Sequence, residues 1–270
     1  MLTERIYLTD DKRAYLDTYV KDNRSVVCDA MLVLPGGGYS YCSEREAEPV
    51  ALAFVAKGFN AFVLNYRTGD DDRYPNQLID ASRALLHIKK NAEKYNINPD
   101  RVFVVGFSAG GHLAGTLATV DTRPEAYETL GVDKSELTIA GVILSYPVIS
   151  ALMSTHQNSF VRLAGKSYDE LNIRERERLS VETHINENSP PAYIWHTSED
   201  KSVPLDGSFA VANKYISLGK PVSLRVYPYG PHGISLANKF TSLGNLALED
   251  PVIEKWIDDV ALWITNLRKN

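Results

Sequence analysis

Two kinds of apolar pattern alternate along the chain. Short runs dense in Val, Ile and Leu read as strands buried on both faces. They cover 26–34, 59–64, 102–105, 139–144, 193–196 and 222–227. Between them apolar positions recur three and four apart. Leu78, Ala81, Leu85, Ile88 and Ala92 make one helical stripe. Ile253, Trp256, Ile257, Val260, Trp263, Ile264 and Leu267 make another. Shorter helices are predicted at 48–56, 112–119 and 205–218. The segment 6–20 is expected to add one or two antiparallel edge strands. Alternating strands and helices predict an α/β fold, a mostly parallel sheet with helices on both faces.

One stretch, 150–191, breaks the alternation. It carries the charge run Arg174-Glu175-Arg176-Glu177-Arg178 and ends in Pro190-Pro191. It reads as a partly helical, cap-like insertion after the sixth strand, lying over the sheet edge, its charges a solvated helix face. No Pro/Gly/Ser-rich linker, repeat or low-complexity tract divides the chain, so 1–270 is expected to form a single domain.

Composition narrows the function. With 270 residues and a formal net charge of −5, the chain is not a nucleic-acid-coating protein. Its two cysteines, Cys28 and Cys42, make neither a disulfide framework nor a zinc ribbon. Cys28 is expected mid-strand as a small core residue, and Cys42 near a pocket. No apolar run is long enough to span a bilayer, and the first residues lack an apolar leader core. The expectation is a soluble cytoplasmic protein without membrane or nucleic-acid partners. No His/Asp/Glu cluster has metal spacing, so no metal or other cofactor is expected.

Three segments carry chemistry. Gly106-Phe107-Ser108-Ala109-Gly110 fits G-x-S-x-G between a predicted strand and a predicted helix. Such a turn lifts a serine hydroxyl above the sheet, and small neighbours allow strand and helix to approach closely. Pro35-Gly36-Gly37-Gly38-Tyr39 follows another strand. Its glycines permit backbone amides to face a ligand, and Gly37, Gly38 and Ala109 are the expected oxyanion-hole donors. A dinucleotide site would need glycine where Tyr41 stands, and a Walker loop would need glycine where Phe160 stands. A serine nucleophile also needs a histidine base and an acid, in the chain order Ser, Asp/Glu, His. His232 in Pro231-His232-Gly233 is the base, and Glu199, Asp200 and Asp206 are candidate acids after the strand 193–196. His87 and His112 are expected to pack within helices and His196 to end a strand. His156 and His184, in the insertion, are lesser candidates for touching substrate. Tyr39 and Tyr41 are candidates for stacking on a sugar, with Tyr39 as the substrate-binding residue.

Together these segments resemble the α/β-hydrolase superfamily over nearly the whole chain. The chain is most similar to its small esterase/acetylesterase group, which includes hormone-sensitive-lipase-like and bacterial carbohydrate acetylesterase relatives. Asn65-Tyr66-Arg67, Asn98-Pro99-Asp100-Arg101 and the run Gly106 to Ala114 add to the likeness. In this group the triad acid commonly precedes a Val-Pro pair. That resemblance selects Asp200, three residues before Val203-Pro204. Pro35 replaces the lipase-like histidine, as in the acetylesterase-like branch. The resemblance implies a Ser108–His232–Asp200 serine carboxylesterase working through an acyl-enzyme. Its expected partner is a small-molecule ester with a short acyl group, such as an acetylated xylo-oligosaccharide. The likeness is also compatible with a homodimer. A peptidase or amidase on the same scaffold, or a non-catalytic binding protein, are the alternatives.

Overall fold

A computed structural model describes residues 1–22 and 25–267. Eight strands form one sheet: β1 (Arg5–Tyr7), β2 (Tyr15–Tyr19), β3 (Cys28–Leu34), β4 (Asn60–Asn65), β5 (Ile97–Phe107), β6 (Gly141–Ser145), β7 (Ala192–Thr197) and β8 (Val222–Tyr227). Their order is β1-β2-β4-β3-β5-β6-β7-β8. β1 and β2 are antiparallel to their neighbours, and β4, β3 and β5 to β8 run parallel. The expected edge strands and parallel core are therefore both present.

The period of two explains the double-sided core. On β3, Ala30, Leu32 and Leu34 face one layer while Met31 and Val33 face the other. Val102 and Val104 oppose Phe103, Val105 and Phe107 on β5 in the same way. The first layer receives the helices Asn76–Lys90, Ala109–Ala118 and Asp206–Ser217, through residues such as Leu78, Leu85, Leu113, Leu117, Val211 and Tyr215. The second receives Glu48–Ala56 and Trp256–Leu267, through Val50, Phe54, Trp256, Val260 and Ile264. The sheet is thus covered on both faces, as long apolar strands require.

Several boundaries differ from the pattern-based reading. Val26 and Val27 are exposed and precede β3, so Cys28 begins the strand rather than lying within it. β5 reaches back to Ile97, with a register irregularity opposite Cys28–Ala30. Ala92 starts a separate short helix, Ala92–Tyr95, after the stripe ends at Lys90. The helix after Ser108 begins at Ala109, three residues earlier than expected. His196 does not end β7 but lies fully buried inside it.

The insertion follows β6 and contributes Phe160, Leu163, Leu171, Leu179, Val181 and Ile185 to the first layer. It presses on the helix Ala109–Ala118. Val181 stands so close to Gly115 that an added Cβ would lie 2.7 Å from it. Its charged helix Ile173–Leu179 keeps Arg174, Glu177 and Arg178 exposed.

Candidate active site

All the loops predicted to carry chemistry leave the C-terminal ends of parallel strands, where such sheets bind ligands. The Gly36–Gly38 loop follows β3, Ser108 follows β5, Asp200 follows β7 and His232 follows β8.

Ser108 has φ 53° and ψ −117°, a backbone state that a non-glycine residue occupies only under constraint. The constraint is close packing. An added Cβ on Gly110 would lie 2.2 Å from the Leu34 carbonyl oxygen, and one on Gly106 2.1 Å from that of Gly110. The helix after the serine is therefore jammed against the end of β3, which explains both flanking glycines. The Ser108 amide donates to the Ser145 carbonyl at 3.0 Å, and Val148 donates to the Ser108 carbonyl at 3.0 Å. The serine is held from both sides.

Its hydroxyl lies 2.8 Å from His232 Nε2, and His232 Nδ1 lies 2.6 Å from Asp200 Oδ2. A carboxylate only accepts, so Nδ1 carries the ring proton and Nε2 is free to accept from Ser108. Of the three candidate acids, Asp200 is the one bonded to His232. Burial alone would raise its pKa. Hydrogen bonds from His196, His232 and the Val203 amide outweigh that and hold the carboxyl well below the usual range. Asp200 Oδ1 receives the Ser202 and Val203 amides, both at 2.9 Å. Oδ2 also takes His196 Nε2 at 3.2 Å. That second histidine was not expected at the site. It stands on β7 four residues before Asp200, and a strand histidine at that spacing is the signal that could have pointed to it.

Among the described residues, none accepts a hydrogen bond from the amides of Gly37, Gly38 or Ala109. Gly37 (φ 126°) and Gly38 (φ 62°) adopt left-handed conformations that turn the loop toward Ser108. Ala109 opens a helix, whose free N–H groups and dipole favour a developing anion. The loop is pinned from behind. The Gly36 amide donates to Glu46 Oε2 at 2.8 Å, and the Tyr146 hydroxyl donates to Glu46 Oε1 at 2.6 Å. The same hydroxyl accepts from the Ser235 amide at 3.0 Å, and the Tyr146 ring lies 5.1 Å from that of His232. Arg45 donates to the Gly233 carbonyl at 2.9 Å. Glu46 and Tyr146 thus couple the glycine loop to the histidine loop. Nothing in the sequence marks them, because their partners are distant in the chain. Burial raises the Glu46 pKa, opposed by the donors Tyr146 and Gly36.

Ser108, His232, Gly37 and Gly38 line a cleft of about 860 Å³. Its lining residues are mostly polar, charged or glycine, with Val161 and Tyr41 as the large apolar side chains. Tyr39 is corrected from the expected stacking role. Its ring is buried at 2% exposure, and its hydroxyl donates to His112 Nδ1 at 2.7 Å. Tyr41, exposed and on the cleft, is the tyrosine placed to meet a ligand. His112 is a core residue, its Nε2 donating to the Leu179 carbonyl at 2.6 Å and its pKa pushed down to about 4 by burial. His156 lines the cleft, bonded to Ser159 at 2.9 Å, whereas His184 bonds Thr122 and does not line it. Cys42 lies off the cleft, with burial pushing its thiol up to about 12. No cluster of His, Cys, Asp or Glu suited to a metal occurs among the described residues. No helix among them is long and apolar enough to cross a membrane.

Comparison with known proteins gives this geometry a context. Endo-1,4-beta-xylanase B of Butyrivibrio fibrisolvens is 40% identical over 224 residues, 80% of this chain and 34% of its own length. An acetylxylan esterase of Xylanibacter ruminicola is 30% identical over 242 residues, 86% of this chain and 46% of its own. The chain therefore spans about a third to a half of these two curated relatives. Among solved structures, an acetyl ester-xyloside bifunctional hydrolase from Caldicellulosiruptor lactoaceticus superposes with a TM-score of 0.83 at 30% identity. That match covers 98% of this chain and 96% of the other. The BD-FAE family profile matches residues 16–215. With its fold, its glycine loop and its strand-to-helix serine in place, the chain belongs to the BD-FAE family of α/β hydrolases.

Proposed function

We propose that this chain is a serine esterase that removes acetyl and other short acyl groups from carbohydrate esters. The observation that carries the reading is the unbroken contact chain from Ser108 through His232 to Asp200, at 2.8 and 2.6 Å, with Ser108 and His232 lining an open cleft. Ser108 Oγ attacks the ester carbonyl carbon as His232 Nε2 takes its proton, and the carbonyl π pair moves onto oxygen. The amides of Gly37, Gly38 and Ala109 receive that oxyanion. Loss of one such donor typically raises the barrier by about 3–4 kcal/mol. The tetrahedral species collapses, the C–O bond to the alcohol breaks, and His232 returns the proton to the leaving oxygen. Water, deprotonated by the same histidine, then releases the acid from the acyl-enzyme. Asp200 stays ionised throughout and stabilises the imidazolium.

Two features favour short acyl groups on a polar alcohol. Each extra methylene gains about 0.8 kcal/mol only where apolar wall exists to bury it, and Val161 and Tyr41 are the large apolar side chains that line this cleft. Relatives named as an acetylxylan esterase and an acetyl ester-xyloside bifunctional hydrolase suggest a sugar as the alcohol. The test is acetate release from acetylated xylo-oligosaccharides, beside hydrolysis of 4-nitrophenyl acetate and octanoate, with Ser108→Ala as control. Both acetyl substrates should be hydrolysed, octanoate more slowly, and all activity should vanish in the variant. Hydrolysis that survives Ser108→Ala would refute the assigned nucleophile. Faster octanoate turnover would refute the acyl preference, and activity on 4-nitrophenyl acetate alone would remove the carbohydrate.

A further inference from the structure

We propose that the cleft carries a carboxylate-binding subsite centred on Arg73. The preferred alcohol half of the substrate is then an acidic oligosaccharide, one bearing a uronic acid. The proposal rests on the esterase reading above and names the substrate class more closely.

The argument is a charge account of the cleft wall. Four cationic side chains, Arg45, Arg73, Arg162 and Lys166, line the cleft against two carboxylates, Glu46 and Asp70. Glu46 is committed to Gly36 and Tyr146, and Asp70 pairs with Arg162. Lys166 reaches both oxygens of Glu175 at 2.6 Å. Arg45 is held by the Gly233 and Thr241 carbonyls. Arg73 is different. Its Nη1 makes only long contacts, 3.5 Å to the Gly69 carbonyl and 3.3 Å to that of Arg162. Its Nε and Nη2 donate to no described residue, and no described carboxylate lies within ion-pair distance of it.

The group also packs against the insertion. An added Cβ on Gly165, the residue ending the insertion's helix Gln157–Ala164, would lie 2.0 Å from Arg73 Nε. Arg73 therefore abuts the insertion, half-buried, on the same cleft as Ser108. A planar fork with unused donors matches a carboxylate, which it can bind through two parallel N–H···O bonds. A neutral sugar leaves that charge unanswered, whereas a uronic acid answers it while its ester sits at Ser108.

Calorimetric titration of the whole chain with two deacetylated xylo-oligosaccharides of equal length, one neutral and one carrying a glucuronic acid, tests this. One partly exposed charge-assisted pair should make the acidic saccharide bind about ten-fold tighter. The preference should shrink as sodium chloride is raised, disappear in Arg73→Gln and survive in part in Arg73→Lys. The salt series on the unaltered protein needs no variant, so poor folding of Arg73→Gln would not shelter the proposal. Equal affinity for the two saccharides, or a preference that Arg73→Gln retains, overturns it. Acetate release from acetylated saccharides is measured in parallel. Acetate release without acidic preference removes the subsite and leaves the esterase reading standing. Acidic preference without ester hydrolysis does the reverse.

Discussion

Replacing Tyr146 by Phe isolates the connection between the glycine loop and the histidine loop. The ring is kept, with its packing on Phe107, Trp195 and His232, so no cavity opens. Only the hydroxyl is lost, and with it two hydrogen bonds: 2.6 Å to Glu46 Oε1 and 3.0 Å from the Ser235 amide. A bond to a charged group contributes about 1.5–3 kcal/mol, and a buried amide left without a partner costs about 1–3 kcal/mol. With Glu46 ionised the expected loss is therefore about 2.5–6 kcal/mol, a large share of the roughly 5–15 kcal/mol that holds a domain together. The pH dependence gives the sign. Burial raises the Glu46 pKa in the folded state, so the folded protein holds that proton more tightly than the unfolded chain. Between the two pKa values stability falls as pH rises. Without the Tyr146 donor the folded pKa climbs further, so the deficit of the variant grows with pH. At acid pH, with Glu46 protonated, the bond to a charged group is gone and the orphaned Ser235 amide, about 1–3 kcal/mol, dominates the deficit. Urea unfolding from pH 5 to 8 reads this through tryptophan fluorescence, since Trp195 and Trp256 stack beside Tyr146. In parallel, kcat for 4-nitrophenyl acetate should fall on the order of ten- to a hundred-fold as the loops lose registration. A variant within about 0.5 kcal/mol of the unaltered protein, or a deficit independent of pH, would refute the coupling.

Other outcomes follow from the same geometry. Ser108→Ala should lose about 10⁴- to 10⁶-fold in kcat while keeping its fold, checked by ester hydrolysis and circular dichroism. Asp200→Asn should lose about 10⁴-fold, because an amide can present its N–H to His232 Nδ1 and favour the wrong tautomer. Asp200 has a folded pKa below its unfolded value, so its contribution to stability is present above about pH 4 and is lost as pH falls through the folded pKa. The stability gap between Asp200→Asn and the unaltered chain should accordingly narrow in acid, and a gap constant with pH would contradict the assignment. Gly110→Ala places a Cβ 2.2 Å from the Leu34 carbonyl oxygen and should prevent native folding, with soluble yield and melting temperature as the readout.

The period of two in β3 and β5 and the three-four spacing at 78–88 carry the fold, because burial on two faces of a sheet leaves its mark locally in the chain. Ser108, Asp200 and His232 were legible for a related reason. Each sits just past a recognisable strand, and parallel strands deliver their C-terminal loops to one edge. Steric demand wrote the glycines at 106 and 110 into the sequence, since only those residues let helix and strand meet. What the sequence could not announce are contacts whose members lie far apart in it. Glu46 meets Tyr146 across 100 residues, and Arg45 meets Gly233 across 188. The same limit misled the reading of Tyr39: its place beside the glycine loop suggested a ligand, but its left-handed backbone turns the ring into the core toward His112. Arg73 was equally silent, because whether a guanidinium is paired depends on which carboxylates the fold brings near it. Local periodicity and sterics thus determined the scaffold and the order of the loops that bring Ser108, Asp200 and His232 together. Tertiary packing alone decided how those loops are braced, and which charge on the cleft wall was left for a ligand.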